Sequence, residues 1–180
     1  MAERQQGTTS DAYVVAGAGN TWSAVAAEQG RIGSQRLLDA STVEPPDPVR
    51  AALRLRPEEQ VVVRSRLMLL DDRPVEIATS YYPAAIAAGT PLAKRGKIRG
   101  GAIGALAALG HAPAEASELV TARWPDAEEA DVLQVDAHEP LLVLTRTNLD
   151  SAGRPVEYAI NRMVARHCDP LAYRMRTSPA

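Results

Sequence analysis

Two arginines and a glutamate stand on segments that otherwise look like apolar strands. Arg64 and Arg66 lie within VVVRSRLMLL, residues 61–70, and Glu76 lies within PVEIATSYY, residues 74–82. An arginine among aliphatic neighbours needs a partner, because burying an unpaired guanidinium costs several kcal/mol. Two kinds of chemistry supply one: an internal ion pair, or a guanidinium fork that binds the carboxylate or phosphate of a ligand.

The same arrangement recurs about eighty residues further along the chain. RPVEIA at 73–78 and RPVEYA at 154–159 match at five of six positions, and each follows an Asp-led turn and a strand with a central arginine. In the second copy the arginine is Arg146 and the acid is Glu157. The repeat predicts two similar hairpins, each of which carries an arginine and a glutamate near a small alanine.

Strand geometry predicts which side chains face each other, because alternate residues of a strand share one face. A three-residue loop at 71–73 places Met68 opposite Glu76, Arg66 opposite Ala78 and Arg64 opposite Ser80. A four-residue loop at 151–154 places Arg146 opposite Ala159, Asn148 opposite Glu157 and Leu144 opposite Asn161.

These positions leave two interpretations open. In one, Arg66 pairs with Glu76, and Arg146 pairs with Glu157, across each hairpin. In the other, Arg64 and Arg66 form a fork that binds an anionic ligand.

Turn and cap residues divide the chain into helices and strands. Proline beside aspartate starts a helix near residues 47 and 126, and Gly110 stands where a helix ends in the left-handed conformation. We expect helices at 21–29, 47–55, 96–110 and 126–135, a helical turn at 83–88, and strands at 35–43, 61–70, 74–82, 113–124, 140–150, 155–165 and 171–175.

Hairpins interrupted by single helices favour an α+β fold, in which an antiparallel sheet has helices packed on one side. Residues 1–35 are predicted to be a flexible N-terminal arm or linker that carries one short helix. Residues 36–180 are predicted to form one domain.

Composition argues against several classes of function. The 20 Lys and Arg residues balance 22 Asp and Glu, so a net charge of −2 gives no overall attraction to nucleic acid or anionic lipid. The one cysteine, Cys168, cannot form an internal disulfide, and no apolar run approaches the ~20 residues that cross a bilayer. We expect a cytoplasmic protein without a membrane span. Isolated histidines and the lack of a Gly-Lys-Ser/Thr ending after the glycines at 96–104 predict neither a metal nor another cofactor.

An ordered set of motifs resembles a known family. VVVRSRLMLLDDRPVEIATSYYP, then GGAIGALAALG, then ELVTARWPDAEEADVLQVDAHEPLLVLTRTNLDSAGRPVEY are similar to the UTRA domain, the effector-binding half of HutC-subfamily GntR transcriptional regulators. The resemblance covers about residues 36–173. It implies a chorismate-lyase-like α+β fold, a small-molecule effector bound between sheet and helices, and a homodimer.

The resemblance also implies ligand-binding positions. Arg64 and Arg66 occupy the positions that grip the anion of phosphosugar effectors, and the acids that meet hydroxyl or amine groups correspond to Glu76 and Glu157. Gly101 stands where a hydroxyl residue commonly opens the central helix, and Ile103 and Met163 stand where the family commonly has aromatic residues. These departures favour a different effector, larger or more apolar. The predicted ligand-binding set is Arg64, Arg66, Glu76, Tyr82, Gly101, Ile103, Arg146, Glu157 and Met163.

The resemblance further implies that a winged helix-turn-helix domain on the N-terminal side reads out binding. Such a domain needs roughly 60–70 residues with a basic recognition helix, which residues 1–35 do not supply. We therefore expect DNA contact only through a domain outside this chain, which is either the effector half of a longer regulator or a free-standing sensor. An enzyme is the alternative from another class, since chorismate lyase shares the implied fold. A shared fold does not transfer function, however, and the prediction is a sensor without catalytic activity.

Overall fold

One six-stranded antiparallel sheet, in the order β1-β2-β3-β6-β5-β4, forms the centre of the part of the chain that is described. The computed structural model describes residues 21–168. In chain order the elements are α1 (Thr21–Glu28), β1 (Gly33–Val43), α2 (Asp47–Ala52), β2 (Val61–Leu70), β3 (Arg73–Pro83), α3 (Ala84–Ala87), a 3₁₀ turn (Pro91–Ala93), α4 (Gly101–Ala108), β4 (Pro113–Arg123), α5 (Ala127–Leu133), β5 (Leu141–Asp150), β6 (Pro155–Val164) and a second 3₁₀ turn (Ala165–His167). The predicted α+β fold with an antiparallel sheet is confirmed.

The duplication extends well beyond the two hairpins. The unit α1-β1-α2-β2-β3 is followed by a second unit, α4-β4-α5-β5-β6, with the same order of elements. Thr21 and Gly101 begin the first helix of each unit, and Val61 and Leu141 begin the fourth element. The innermost strands β3 and β6 pair with each other, so the two units meet at the middle of the sheet.

Helices cover both faces of the sheet. Leu106 of α4 packs with Val62 on what we call the front face, and Ala26 of α1 packs there against Met68. Leu133 of α5 packs with Leu67 on the opposite, back face. The prediction of helices on one side only is therefore wrong. Its physical reason is visible in β2, where apolar residues occupy both alternating sets of positions and each set needs a cover.

The hairpin pairings are those predicted, although the first turn is shorter than expected. Met68 lies opposite Glu76 and Arg66 lies opposite Ala78, and the second hairpin shows the predicted pairs as well. The first turn consists of Asp71 and Asp72 alone, both with positive φ, of 50° and 62°. A bulge between Met68 and Leu69 restores the register that a three-residue loop would have produced.

The start of α5 shows how sequence fixes an element on the back face. Asp126 accepts a hydrogen bond from the Glu129 amide (2.8 Å), and Glu129 accepts one from the Asp126 amide (3.1 Å), which together form a capping box. The Glu129 carboxylate also pairs with Arg123 of β4 (2.6 Å) and Arg162 of β6 (2.8 Å). The helix is thereby held onto two strands of the second unit.

Two expectations fall on residues that the structure does not describe. The flexible arm over 1–20 and the edge strand at 171–175 both lie outside residues 21–168. Within that range, no helix is both long enough and apolar enough to cross a bilayer. The division of the chain at residue 35 stays a prediction, and we note that Ala26 of α1 is buried against the sheet.

Candidate functional site

Six polar side chains of the four inner strands share the front face of the sheet. We call them the polar cluster: Arg66 on β2, Glu76 and Tyr82 on β3, Arg146 and Asn148 on β5, and Glu157 on β6. Strand register brings them together, because each lies at an alternate position that points to this face.

Glu157 is the most completely bonded acid of the cluster. It is 6% exposed, and its Oε1 accepts a hydrogen bond from the Tyr82 hydroxyl (2.8 Å) while its Oε2 accepts one from Asn148 Nδ2 (2.7 Å). Burial, together with the Glu157 charge, raises the pKa of Tyr82, so the phenol stays protonated and remains a donor. Glu157 is therefore satisfied within the protein.

Arg146 is paired, but with a different acid from the one predicted. Its Nε lies 2.5 Å from Oε1 of Glu118, the residue directly opposite on β4, and only 8% of its side chain is exposed. The predicted ion pair between Arg146 and Glu157 is wrong. Asn148 and Tyr82 occupy Glu157 instead, and the β4 edge supplies the anion for the arginine.

Arg66 differs from Arg146 in its partners. Its Nε is buried and has no hydrogen-bond partner among residues 21–168. The predicted ion pair with Glu76 is also wrong, since no such pair forms in the described chain, although the guanidinium is close enough to favour ionisation of that acid. A buried donor without an acceptor costs about 1–3 kcal/mol, and more when it is charged.

Glu76, which is half-buried, has the opposite deficit, since its carboxyl group accepts no hydrogen bond from residues 21–168. Its neighbours across the two adjoining strands are Met68 and Met163, neither of which donates a hydrogen bond. Burial raises its pKa to about 7, and the positive charges of Arg66 and Arg146 offset only part of that rise. Glu76 therefore changes its charge near neutral pH.

Arg64 lies on the same face but binds the main chain. Its Nη1 donates to the carbonyls of Leu92 (3.0 Å) and Lys94 (2.6 Å), and its Nη2 donates to the carbonyl of Gly96 (2.8 Å). Burial lowers its pKa, and the charge of Arg66 lowers it further. The predicted fork of Arg64 and Arg66 is not formed here, and a ligand contact by Arg64 stays a prediction.

The remaining predicted positions lie around the cluster. Met163 faces Glu76 on β6, and Ile103 of α4 packs onto the apolar group that contains Tyr82. Gly101 opens α4 with φ of 76°, a conformation that favours glycine.

Sequence reasoning missed two residues of the site. Asn148 is fully buried, and its Oδ1 has no partner in the described part of the chain. The predicted position of Asn148 opposite Glu157 was the available signal, because an amide beside a carboxylate is a natural donor. Glu118 gave no such signal, since it lies on a different strand, 28 residues from Arg146.

The polar cluster has the features of a binding site. One face of an α+β sheet carries a buried guanidinium Nε and a buried amide oxygen, both without partners among residues 21–168, and a carboxyl group whose pKa is raised to about 7. Between residues 21 and 168, no group of three or more His, Cys, Asp or Glu side chains is placed to hold a metal ion. Such an arrangement is suited to recognising a small polar molecule through hydrogen bonds and charge.

Comparison with known proteins agrees with such a site. The family model of the UTRA domain matches residues 28–169. The HTH-type transcriptional regulator GgaR of Escherichia coli is 29% identical over 132 residues, which are 70% of this chain and 47% of that protein. This chain thus spans about half the length of the curated relatives it matches.

Solved structures show the same fold. The effector domain of PhnF from Mycobacterium smegmatis superposes with a TM-score of 0.71 at 20% identity, covering 81% of this chain and 89% of that domain. The C-terminal domain of the histidine utilization repressor from Pseudomonas syringae superposes with a TM-score of 0.67 at 20% identity, covering 82% and 99%. The chain belongs to the UTRA domain family, the effector-binding domains of GntR-type transcriptional regulators, and the resemblance seen in the sequence is confirmed.

Proposed function

We propose that this domain senses a small-molecule effector, which binds on the front face at the polar cluster. The observation that carries the proposal is Arg66, whose buried Nε lacks a hydrogen-bond partner in the described chain. Glu76 and the Asn148 Oδ1 lie on the same face with unmet hydrogen-bonding capacity. Proteins rarely keep such groups without a compensating use, because each lowers the stability of the ligand-free fold.

Effector binding is coupled in this proposal to DNA binding by a winged helix-turn-helix domain outside this chain. The support is the family, whose curated relatives are HTH-type regulators about twice as long as the matched region. The proposed coupling is a population shift, in which the effector stabilises one domain arrangement over another. The regulator then acts in the cytoplasm, without a membrane span and without catalysis.

The predicted homodimer belongs to the same proposal. β4 is an edge strand, and Leu119 on it and Trp124 just beyond it are 64% and 59% exposed, which supports this edge as the contact. Light scattering of the protein and of a Leu119→Lys variant tests it. A dimer that dissociates on substitution is expected, and a monomeric wild-type domain would remove dimerisation from the proposal.

Thermal-shift screening tests the sensor proposal directly. A panel of sugars, sugar phosphates, amino acids, nucleosides and organic acids should contain compounds that raise the melting temperature, because a ligand that binds the native state stabilises it by mass action. Arg66→Met should abolish that response and should also raise the melting temperature without ligand, since it removes a buried Nε donor that lacks an acceptor among the described residues.

Arg36→Met is the matched control, because Arg36 lies exposed on β1. It should leave both melting temperatures and ligand responses unchanged. A ligand whose effect survives in Arg66→Met would show that the site lies elsewhere. Formation of 4-hydroxybenzoate and pyruvate from chorismate would contradict the assignment as a sensor without catalysis.

A further inference from the structure

The duplicated fold provides an internal reference for the polar cluster. Arg66 and Arg146 occupy the same position of equivalent strands, each opposite an alanine, Ala78 or Ala159. Glu76 and Glu157 are related in the same way. Chemically identical residues therefore sit in equivalent backbone positions, and their partners can be compared one by one.

In the second unit the arginine and the acid both have partners. The residue opposite Arg146 on the edge strand is Glu118, and it forms the ion pair. The residue opposite Glu157 on β5 is Asn148, and the hydroxyl that reaches Glu157 from the other unit belongs to Tyr82.

In the first unit each of these partners is replaced by an aliphatic or thioether side chain. Leu37 lies opposite Arg66 on the edge strand, in the place of Glu118, and is followed by a bulge between Leu37 and Asp39 that the second unit does not have at this point. Met68 lies opposite Glu76 in the place of Asn148, and Met163 lies beside it in the place of Tyr82. One anionic acceptor and two donors that complete the second unit are thus missing from the first.

Charge on the front face favours a ligand with a single negative charge. Arg64 is bound to three carbonyls and Arg146 to Glu118, which leaves Arg66 as the cation of this face not already engaged among the described residues. Glu76 stands close enough to Arg66 for the guanidinium to favour its ionisation. A phosphate monoester brings about −1.5 to −2 charges at pH 7, which one guanidinium beside an acid does not balance.

We infer that the effector completes the first unit in the way that Glu118, Asn148 and Tyr82 complete the second: it is a small carboxylic acid with an amine or hydroxyl group, whose carboxylate binds Arg66 while its donor binds Glu76. This inference rests on the proposed function, because it identifies the ligand class of that site. It differs from the phosphosugar class in the charge of the anion.

The first test supplies the missing partners from the protein itself. Leu37→Glu should pair with Arg66 and raise the melting temperature above that of Leu37→Gln, which has the same shape without the charge. Met163→Tyr should donate to Glu76 and lower its pKa from about 7, whereas Met163→Phe, of similar size, should not. NMR titration of the Glu76 side chain measures this difference.

Equal stability of Leu37→Glu and Leu37→Gln would overturn the inference that a carboxylate binds Arg66. An equal Glu76 pKa in the Met163→Tyr and Met163→Phe proteins would overturn the inference that a ligand donor binds Glu76. These comparisons need no ligand, so they decide the inference even if a screen finds no effector.

The second test uses fragments: acetate, methylammonium, free glycine and inorganic phosphate. The Nε–H resonance of Arg66, assigned by its loss in Arg66→Met, should shift with acetate and glycine. In Leu37→Glu the affinity for acetate and glycine, read from the concentration dependence of these shifts, should fall about tenfold or more. This factor corresponds to the loss of one charge-assisted hydrogen bond. A shift with phosphate alone, or with none of the four, overturns the inference. If a larger metabolite binds the front face unaffected by Leu37→Glu, the sensor function stands and only the ligand class fails.

Discussion

Replacement of Glu76 by glutamine should change how the stability of this domain depends on pH. In the unfolded chain the carboxyl has its ordinary pKa of 4.5, and burial among Met68 and Met163 raises it to about 7 in the folded protein. Below pH 4.5 the Glu76 carboxyl is protonated in both the folded and the unfolded protein, so it does not lower the free energy of unfolding. Between the two values the unfolded state loses its proton first, and the free energy of unfolding falls as the pH rises.

The size of this effect follows from the two pKa values. A rise from 4.5 to about 7 corresponds to a loss of about 3 kcal/mol once the folded state is also ionised, above neutral pH. Glu76→Gln is always neutral and avoids this loss. We therefore expect the variant to be about 3 kcal/mol more stable than the wild type near pH 8, relative to any difference near pH 4.

Urea denaturation of both proteins at intervals across this pH range measures the free energy of unfolding directly. Glu115→Gln is the matched control, because Glu115 is exposed on β4 and its replacement should not change the pH profile. Parallel profiles for wild type and Glu76→Gln would refute the reasoning. They would mean that Glu76 finds donors or solvent in the folded protein.

Three further predictions concern stability. Arg64→Met should remove the bonds to the carbonyls of residues 92, 94 and 96, cost about 3 kcal/mol, and speed amide hydrogen exchange in that segment; unchanged exchange would contradict this. Gln134→Gly should stabilise the end of α5 by about 1 kcal/mol in thermal unfolding, because this residue has φ of 55°, whereas Gln134→Ala should give no gain. Glu118→Leu should cost about 3–5 kcal/mol by leaving Arg146 buried and unpaired, and adding Arg146→Met should recover most of it; additive losses in this double-mutant cycle would refute a direct pair.

The sequence predicted the residue pairs of the two hairpins well, because residues close together in the chain determine them. Alternation of side chains and the number of turn residues determine the pairs, and the bulge beside Leu69 compensated for the shorter turn. The first and last residues of β2 were predicted correctly, because turn-forming residues stand on both sides of it: Pro57, Glu58 and Glu59 before the strand, and Asp71 and Asp72 after it.

The partners of the charged residues were harder to predict, because they come from distant parts of the chain. Tyr82 and Glu157 are 75 residues apart and meet only because β3 and β6 pair at the centre of the sheet. Glu118 reaches Arg146 through the register of an edge strand that no hairpin turn sets. The acceptors of Arg64 are main-chain carbonyls, which every residue has and which therefore leave no mark in the sequence.

Arg64 also determines where the connection between the two units can bend. By holding the carbonyls up to Gly96, it makes the first part of that connection move with β2. Any displacement of α4 relative to the sheet must then be taken up within the few residues from Gly96 to Gly101. Gly96, Gly100 and Gly101 all have positive φ there, so the backbone between them turns at positions without side chains. Arg64 thus limits bending of this connection to one short glycine-rich stretch, residues 96–101.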